Sequence, residues 1–498
     1  MFRKVLVANR GEIACRVIGT LREHGIGSVA VYSDADAGAV HARRADEAVR
    51  IGPAEPRASY LNIEAIVEAA RASGAEAIHP GYGFLSENAA FAEAVEKAGL
   101  VFIGPTPGQS RGFGDKRLAR EAARKAGVPI VPGYEARSEV ADRQLATEAG
   151  RLGYPVVLKA ALGGGGKGMT VVTSDSDLIA SAPSARRVAL GAFGDGSLYL
   201  EKLVEHPRHV EVQLVGNGRG DAVHFFEREC SLQRRHQKVL EETRSPGASE
   251  KTRLAMAEAA VALARAVQYR GAGTVEFLLA PDEKFYFLEV NTRLQVEHPV
   301  TELLTGHDLV WWQLVVAAET TLVTEQSAVQ ARGHAVEVRV YAEDPASDFL
   351  PQAGRLARVV WPRLPFVRVD AGVESGSDVP LHYDPILAKI AAWGPDRETA
   401  WARLAAALDE TVVHGVVTNI DFLRALTRDP ELVAGRFDTT TLESGVIDRY
   451  RERAGEPAPA VALAAAAVAE PARAAGGAPA PTRAAADPFA TIGNWGRS

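Results

Sequence analysis

Over roughly the first 110 residues, short apolar runs alternate with stretches of helical spacing. Residues 5–8, 29–32, 77–79 and 101–104 read as strands, and 13–21, 63–72 and 88–98 as helices. Such alternation predicts a parallel sheet with helices on both faces. A dinucleotide-binding reading fails on detail. The turn after the first strand is Asn9-Arg10-Gly11-Glu12, with no G-x-G-x-x-G, and Gly25-Ile26-Gly27 precedes a strand instead of opening a helix.

The pattern then changes. A polar helix is predicted over 117–126, a strand over 155–159, then glycines at 163–166 and strands at 171–172 and 198–200. Hairpins follow: 209–215 alternates polar and apolar, Gly216-Asn217-Gly218 turns, and 222–226 returns. Strands at 275–279 and 285–291 flank a turn at Pro281-Asp282, with an Ala-rich helix at 251–269 between the hairpins. Residues 334–445 mix strands with a helix at 399–408, an α+β body. Between Pro457 and Ala486, 16 of 30 residues are Ala and five are Pro, too little apolar bulk for a core. This stretch reads as a linker with a transient helix at 461–469. It ends in Asp487-Pro488-Phe489 and Trp495, either a frayed terminus or a docking peptide.

Composition narrows the function. A chain of 498 residues holds several units. A net charge of −7 argues against nucleic acid or an anionic membrane surface as partner. Cys15 and Cys230 form neither a disulfide framework nor a zinc pattern. The N-terminus enters a strand directly, and no run of about 18 apolar residues follows. A reducing, cytoplasmic setting is expected. The chain has 11 lysines against 45 arginines. Where it uses lysine, the choice points to chemistry.

Three segments carry candidate chemistry. Gly163-Gly164-Gly165-Gly166-Lys167-Gly168 lies between strands and lacks the P-loop spacing and its Ser/Thr. It reads equally as a flexible loop or as backbone N–H groups folding over phosphates. In the acidic hairpin, period-two alternation puts Glu289, Asn291 and Arg293 on one face, with Glu276 opposite. Carboxylates converging among Phe277, Phe285 and Phe287 would repel unless a hard ion such as Mg²⁺ or Mn²⁺ joined them; the alternative is a solvated sheet face. Arg293, Gln295 and Glu297 lie within five residues, a set able to bind and deprotonate a small oxyanion. The run Glu227 to Lys238 is expected to follow a strand end. It reads as a solvated charged face, or as a contact for nucleotide and anion through Gln233, His236 and Lys238.

In this order, these pieces resemble the biotin carboxylase family of ATP-grasp enzymes. The resemblance rests on Ala8-Asn9-Arg10-Gly11-Glu12-Ile13-Ala14, on His79-Pro80-Gly81-Tyr82-Gly83-Phe84-Leu85-Ser86-Glu87-Asn88, and on residues 163–169, 226–242 and 289–302. It implies a Rossmann-like pre-ATP-grasp domain at 1–113 and an ATP-grasp domain at 114–325 with a mobile lid at about 134–203. A C-terminal biotin carboxylase domain at 330–445 and a linker or tail at 446–498 follow. The implied reaction is ATP-driven phosphorylation of bicarbonate to carboxyphosphate. That intermediate gives CO₂, which carboxylates N1′ of biotin.

The resemblance also implies roles. Lys116, Lys159 and His236 fall on the phosphates or nucleotide, with Gly164, Gly165, Gly166, Lys167, Gly168 and Met169 in the lid. Glu201, Lys202 and Val204 form the adenine-side hinge and His209 lies near the ribose, with Gln233 and Leu278 also on ATP. Glu276, Glu289 and Asn291 hold two divalent ions. Lys238, Arg293, Gln295 and the backbone of Val296 cradle bicarbonate, Glu297 is the base, and Arg339 stabilises the biotin enolate. Leu162, Thr170, Arg244 and the 13-residue spacing from Glu276 to Glu289 depart from the family pattern, and put lid kinetics in question. Biotin is carried on a lysine flanked by methionine, and none of Met1, Met169 and Met256 adjoins a lysine. Biotin is therefore expected on a separate carrier protein, with a separate carboxyltransferase and a homodimeric enzyme. The expected pathway is an acyl-CoA carboxylase of acetyl- or propionyl-CoA type, with fatty acid synthesis among its uses. Alternatives are the equivalent subunit of pyruvate carboxylase, another ATP-grasp ligase, or a non-catalytic nucleotide-binding subunit.

Overall fold

The computed structural model describes residues 1–135, 140–160, 169–193, 196–319, 322 and 325–454, and residues 1–450 form one compact unit. The glycine run at 163–168, Leu162 and the tail with Phe489 and Trp495 lie outside the described residues.

The N-terminal part holds β1 (Lys4–Val7), α1 (Gly11–Glu23), β2 (Gly27–Ser33), β3 (Glu47–Gly52), α2 (Ile63–Ala72), β4 (Ala77–His79), α3 (Ala89–Lys97) and β5 (Val101–Phe102). The strands form a parallel sheet in the order β3-β2-β1-β4-β5. Val5 and Val7 face one core, with Ile13, Val17 and Trp312, while Leu6 and Ala8 face another, with Ile66 and Phe91. Period-two geometry thus buries both sheet faces, as a parallel sheet requires. Asn62 and Asn88 cap α2 and α3 through their side chains. Strand β3 was not expected from the sequence. It is an edge strand whose Glu47 and Ala48 are exposed, so its apolar signal is weak.

After α4 (Lys116–Lys125), the chain builds a small separate layer: β6 (Gly133–Glu135), α5 (Asp142–Leu152), β7 (Val156–Ala160), β8 (Thr170–Val172), α6 (Asp175–Phe193) and β9 (Leu198–Lys202). Its four strands pair antiparallel in the order β6-β9-β7-β8 around a core of Leu145, Val156, Leu158, Leu178 and Leu200. Leu158 pairs with Thr170, so the glycine run is flanked by paired strands.

The body is β10 (Arg208–Asn217), β11 (Ala222–Arg234), β12 (Gln237–Thr243), α7 (Glu250–Ala266), β13 (Arg270–Leu279), β14 (Phe285–Asn291), α8 (His298–Thr305) and α9 (Leu309–Glu319). The C-terminal part adds β15 (His334–Tyr341), β16 (Val367–Ala371), β17 (Ile386–Gly394) and α10 (Arg397–Glu410). One sheet of eight strands, β14-β13-β10-β11-β12-β15-β17-β16, runs through both. The pairing of β12 with β15, Glu241 opposite Glu337, joins the segments that the sequence divides at 325–330. No described helix is long and apolar enough to cross a membrane.

Candidate active site

The long sheet explains the charged run. β11 does not end at Phe226 but continues to Arg234, correcting the expected strand end, and Arg235-His236 form a two-residue hairpin into β12. Arg235 and His236 both have positive φ (47° and 66°), as a primed hairpin turn demands. Nor is the run a solvated face. Glu227, Arg228, Glu229, Gln233 and Lys238 are buried, and only Arg235, His236 and Gln237 at the tip are exposed.

A register shift, with Leu232 opposite Leu240 but Gln233 opposite Lys238, leaves Val239 as the bulged residue and turns Lys238 into a cluster of carboxylates. Its Nζ lies 2.6 Å from Glu211 Oε2, 2.6 Å from Glu297 Oε1 and 3.0 Å from Glu276 Oε1. Gln295 Nε2 donates to Glu276 at 3.1 Å, and His209 Nε2 lies 2.9 Å from Glu276 Oε2. The fully buried Arg228 donates to Glu211 (2.6 Å), Gln213, Thr301 and Thr274, so its own buried charge is paired. Burial alone would raise Glu211, but Lys238 and Arg228 pull it down to about 2. Burial likewise opposes ionisation of Glu297, and Lys238, Arg339 and Arg228 overcome it and hold the carboxyl below its ordinary range. Glu297 is thus ionised and wedged between two cations, since Arg339 donates to its Oε2 at 3.0 Å. Arg339 also donates through Nε to Glu241 at 2.6 Å. Burial raises Glu241 to about 7 and pushes Glu337, opposite it, well above the carboxylate range. Both lie on the face of β12 and β15 that carries Arg339.

The acidic hairpin brings its carboxylates face to face. Thr274 pairs with Asn291 and Glu276 with Glu289; beyond them the register shifts by one, so that Phe277 pairs with Phe287 and Leu288 is the bulged residue. The bulge keeps Glu289 directly opposite Glu276 despite the longer spacing. Burial first, and the Glu276 charge second, raise Glu289, while Lys116 from the start of α4 lowers it. Two facing carboxylates with an amide alongside fit a hard divalent ion. Asn291 donates to Glu276 at 2.8 Å and its Oδ1 accepts from Arg293 at 3.1 Å. Two other groups, His209–Glu211–Glu276 and Glu211–Cys230–Glu297, have ligand atoms close together. Every carboxylate of both groups already pairs with Lys238, whereas the hairpin set adds Glu289, and burial raises the Cys230 thiol well above its ordinary value, so the hairpin set suits a metal better.

The remaining sequence-predicted residues are less tightly gathered. Lys159 pairs with Glu201, which also holds Arg120. Lys202 turns its ammonium to the carbonyls of Gly153 (2.8 Å) and Tyr154 (2.9 Å), so only its backbone is left for a hinge contact. Leu278 pairs with His209, and Gln233 with Lys238. Val204 is half-buried just past β9, Met169 is exposed, and Arg293 reaches Glu87 at 3.2 Å. Gly164 to Gly168 lie outside the described residues. Sequence reasoning missed Glu211, Arg228, Glu241 and Glu337 as parts of the site. The available signal was the polar alternation of His209, Glu211 and Gln213, which puts all three on one face of β10. It also left the N-terminal motifs without a role. Asn9 Nδ2 donates to the carbonyls of Pro80 (2.8 Å) and Tyr82 (2.7 Å), and a Cβ on Gly81 (φ 62°) would strike Asn9 at 2.9 Å. Glu87 of the same segment accepts from the Thr292 amide at 3.0 Å, tying it to the loop before Glu297.

An antiparallel sheet with carboxylates and cations on its buried face, joined to a small four-stranded layer that carries the glycine run, is the ATP-grasp architecture. The comparisons agree. A family model described as "Biotin carboxylase, N-terminal domain" matches residues 1–109. "Carbamoyl-phosphate synthase L chain, ATP binding domain" matches 115–325, and "Biotin carboxylase C-terminal domain" matches 337–444. The mitochondrial methylcrotonoyl-CoA carboxylase subunit alpha of Dictyostelium discoideum is 49% identical over 450 residues, 90% of this chain and 64% of that protein. The propionyl-CoA carboxylase alpha chain of Ruegeria pomeroyi is 47% identical over 89% of this chain and 67% of its own length. The chain thus spans about two thirds of the curated relatives it matches. A crystal structure of the biotin carboxylase domain dimer of Hydrogenobacter thermophilus 2-oxoglutarate carboxylase, with MgADP, ADP and bicarbonate, has a TM-score of 0.84 and 42% identity. It covers 90% of this chain and 99% of that one. The chain belongs to the biotin carboxylase family of ATP-dependent ligases.

Proposed function

We propose that this chain uses ATP and bicarbonate to carboxylate biotin in an acyl-CoA carboxylase of the methylcrotonoyl- or propionyl-CoA type, as the alpha subunit or part of it. The observation that carries the chemical reading is the Lys238 ammonium between Glu297 and Glu276. One cation thereby links a candidate base to a candidate metal carboxylate, where an oxyanion would meet a transferring phosphoryl group.

In this reading Lys238, Arg293, Gln295 and the backbone of Val296 hold bicarbonate, and Glu297 accepts its proton. The deprotonated oxygen then attacks the γ-phosphorus of ATP, the bond to the β,γ-bridging oxygen breaks, and ADP leaves carboxyphosphate behind. Lys116, Lys159 and His236 neutralise the phosphates, and phosphoryl transfer needs little beyond such positioning and charge. Divalent ions, Mg²⁺ or Mn²⁺, held by Glu276, Glu289 and Asn291 would neutralise further phosphate charge. Glu201, the backbone of Lys202, Val204, Gln233, Leu278 and His209 contact the nucleoside. Closure of the four-stranded layer keeps water from carboxyphosphate, and Gly164, Gly165, Gly166, Lys167, Gly168 and Met169 are assigned to ATP by the family resemblance alone. Arg339, held by Glu241 and Glu297, meets the ureido oxygen of biotin.

Support for the substrate class comes from the relatives, which are methylcrotonoyl- and propionyl-CoA carboxylase alpha subunits; none of these supports the acetyl-CoA or fatty-acid expectation. Biotin arrives on a carrier outside these 498 residues, and a carboxyltransferase takes the carboxyl group onward. A homodimer is favoured by the relative crystallised as a biotin carboxylase domain dimer. Two free buried cysteines suit a reducing compartment, the cytoplasm or its equivalent.

Purified protein should hydrolyse ATP in a bicarbonate-dependent manner. Glu297→Gln should lower that rate by about 100-fold or more while binding ATP normally, because it keeps the shape and loses the base. A Glu297→Gln enzyme that turns over like the wild type would remove Glu297 from this role.

A further inference from the structure

One buried lysine has no part in the reaction as described. Lys389, on β17, is 1% exposed. Its Nζ donates to the backbone carbonyl of Val296 at 2.8 Å and lies 3.2 Å from Glu12 Oε2 and 3.9 Å from Asp370. Across the sheet it pairs with Arg339 on one side and Asp370 on the other, so it lies on the face that carries Arg339. Glu12 in turn accepts the Tyr82 hydroxyl.

The Val296 carbonyl belongs to the same rigid peptide plane as the Glu297 N–H and Cα. Fixing that oxygen fixes the root of the Glu297 side chain. The neighbouring carbonyls are held locally: His298 Nδ1 lies 2.8 Å from the Gln295 carbonyl, and the Val300 amide donates to that of Glu297. The carbonyl between them takes its hydrogen bond from a distant strand. In a chain that writes arginine almost everywhere, a compact ammonium sits there. We propose that Lys389 is a positioning residue that fixes the Val296–Glu297 peptide for bicarbonate. This rests on the reading of Val296 as part of the cradle and Glu297 as the base.

Removing Lys389 alone would strand the buried Glu12 charge, so the test compares Glu12→Gln with the double variant Glu12→Gln/Lys389→Met. Two readouts apply: the bicarbonate KM of ATP hydrolysis, and amide hydrogen exchange of residues 292–298 in the full chain. The double variant should raise that KM about tenfold or more relative to Glu12→Gln, the effect of losing one charged hydrogen bond. It should also exchange faster at 292–298, with the affinity for a non-hydrolysable ATP analogue changed by less than about twofold. Equal bicarbonate KM and equal exchange in the two variants would overturn the proposal and leave Lys389 a packing residue. If the proposed reaction is itself wrong, the wild type shows no bicarbonate-dependent hydrolysis, and the exchange comparison still decides whether Lys389 holds this peptide.

Discussion

Lys238 donates in three directions to Glu211, Glu276 and Glu297, which come from three different segments. A tetrahedral ammonium can do that; a planar guanidinium presents its donors in one fixed fork and needs more room. Lys238→Arg should therefore lower kcat/KM for bicarbonate by about tenfold or more while the protein stays folded, and unchanged bicarbonate kinetics would contradict this. The lysine count in the sequence pointed to this residue, and Glu297 and Arg339 were legible through resemblance. Glu211 and Arg228 were not. Their burial depends on β11 continuing past Phe226, and a string of charges read locally looks solvated until its partner strands are known. Lys202 shows the converse: a lysine at an expected ATP position whose ammonium serves the carbonyls of residues 153 and 154.

Most helices and strands could be read from periodicity because apolar spacing and Asn caps are local signals. The Leu288 bulge could not, since it arises from the pairing of two strands, although the unusual spacing hinted at it. Arg244 illustrates a departure with a clear physical cost. It directly follows β12 in left-handed backbone (φ 61°), and its exposed contact with Glu250 is long at 3.8 Å. It lies outside the four-stranded layer, and the cost it carries there is backbone strain. Arg244→Gly should raise unfolding stability by about 1 kcal/mol, read from a urea midpoint, because only glycine adopts this backbone without penalty. A lower midpoint would show that the side chain matters more than its backbone.

At the scale of the whole molecule, the continuous eight-stranded sheet joins two predicted domains and carries Arg339 and Lys389 to Glu297. Its N-terminal neighbour is anchored by buried neutral histidines. Burial pulls His41 and His79 down to about 4, and His79 accepts the Gly81 amide through Nδ1 at 3.0 Å. Their folded pKa values lie below the unfolded value of about 6.5. The unfolded chain therefore takes protons first, and their stabilising effect is full above pH 6.5 and falls away towards pH 4. Glu241, raised to about 7, works in the opposite sense, so the difference from a variant is what isolates one histidine. His79→Asn, which accepts the same hydrogen bond without titrating, should lose less stability than the wild type between pH 6.5 and 4.5; identical pH slopes would contradict this. In the proposed function, Lys238, Glu297 and Arg339 form one centre that activates bicarbonate for transfer to biotin. Its most direct test is the ATP-dependent incorporation of labelled bicarbonate into free biotin. The wild type should yield labelled carboxybiotin, and Glu297→Gln almost none at equal ATP occupancy. No label from an ATP-binding wild type, or equal label from both, would contradict it.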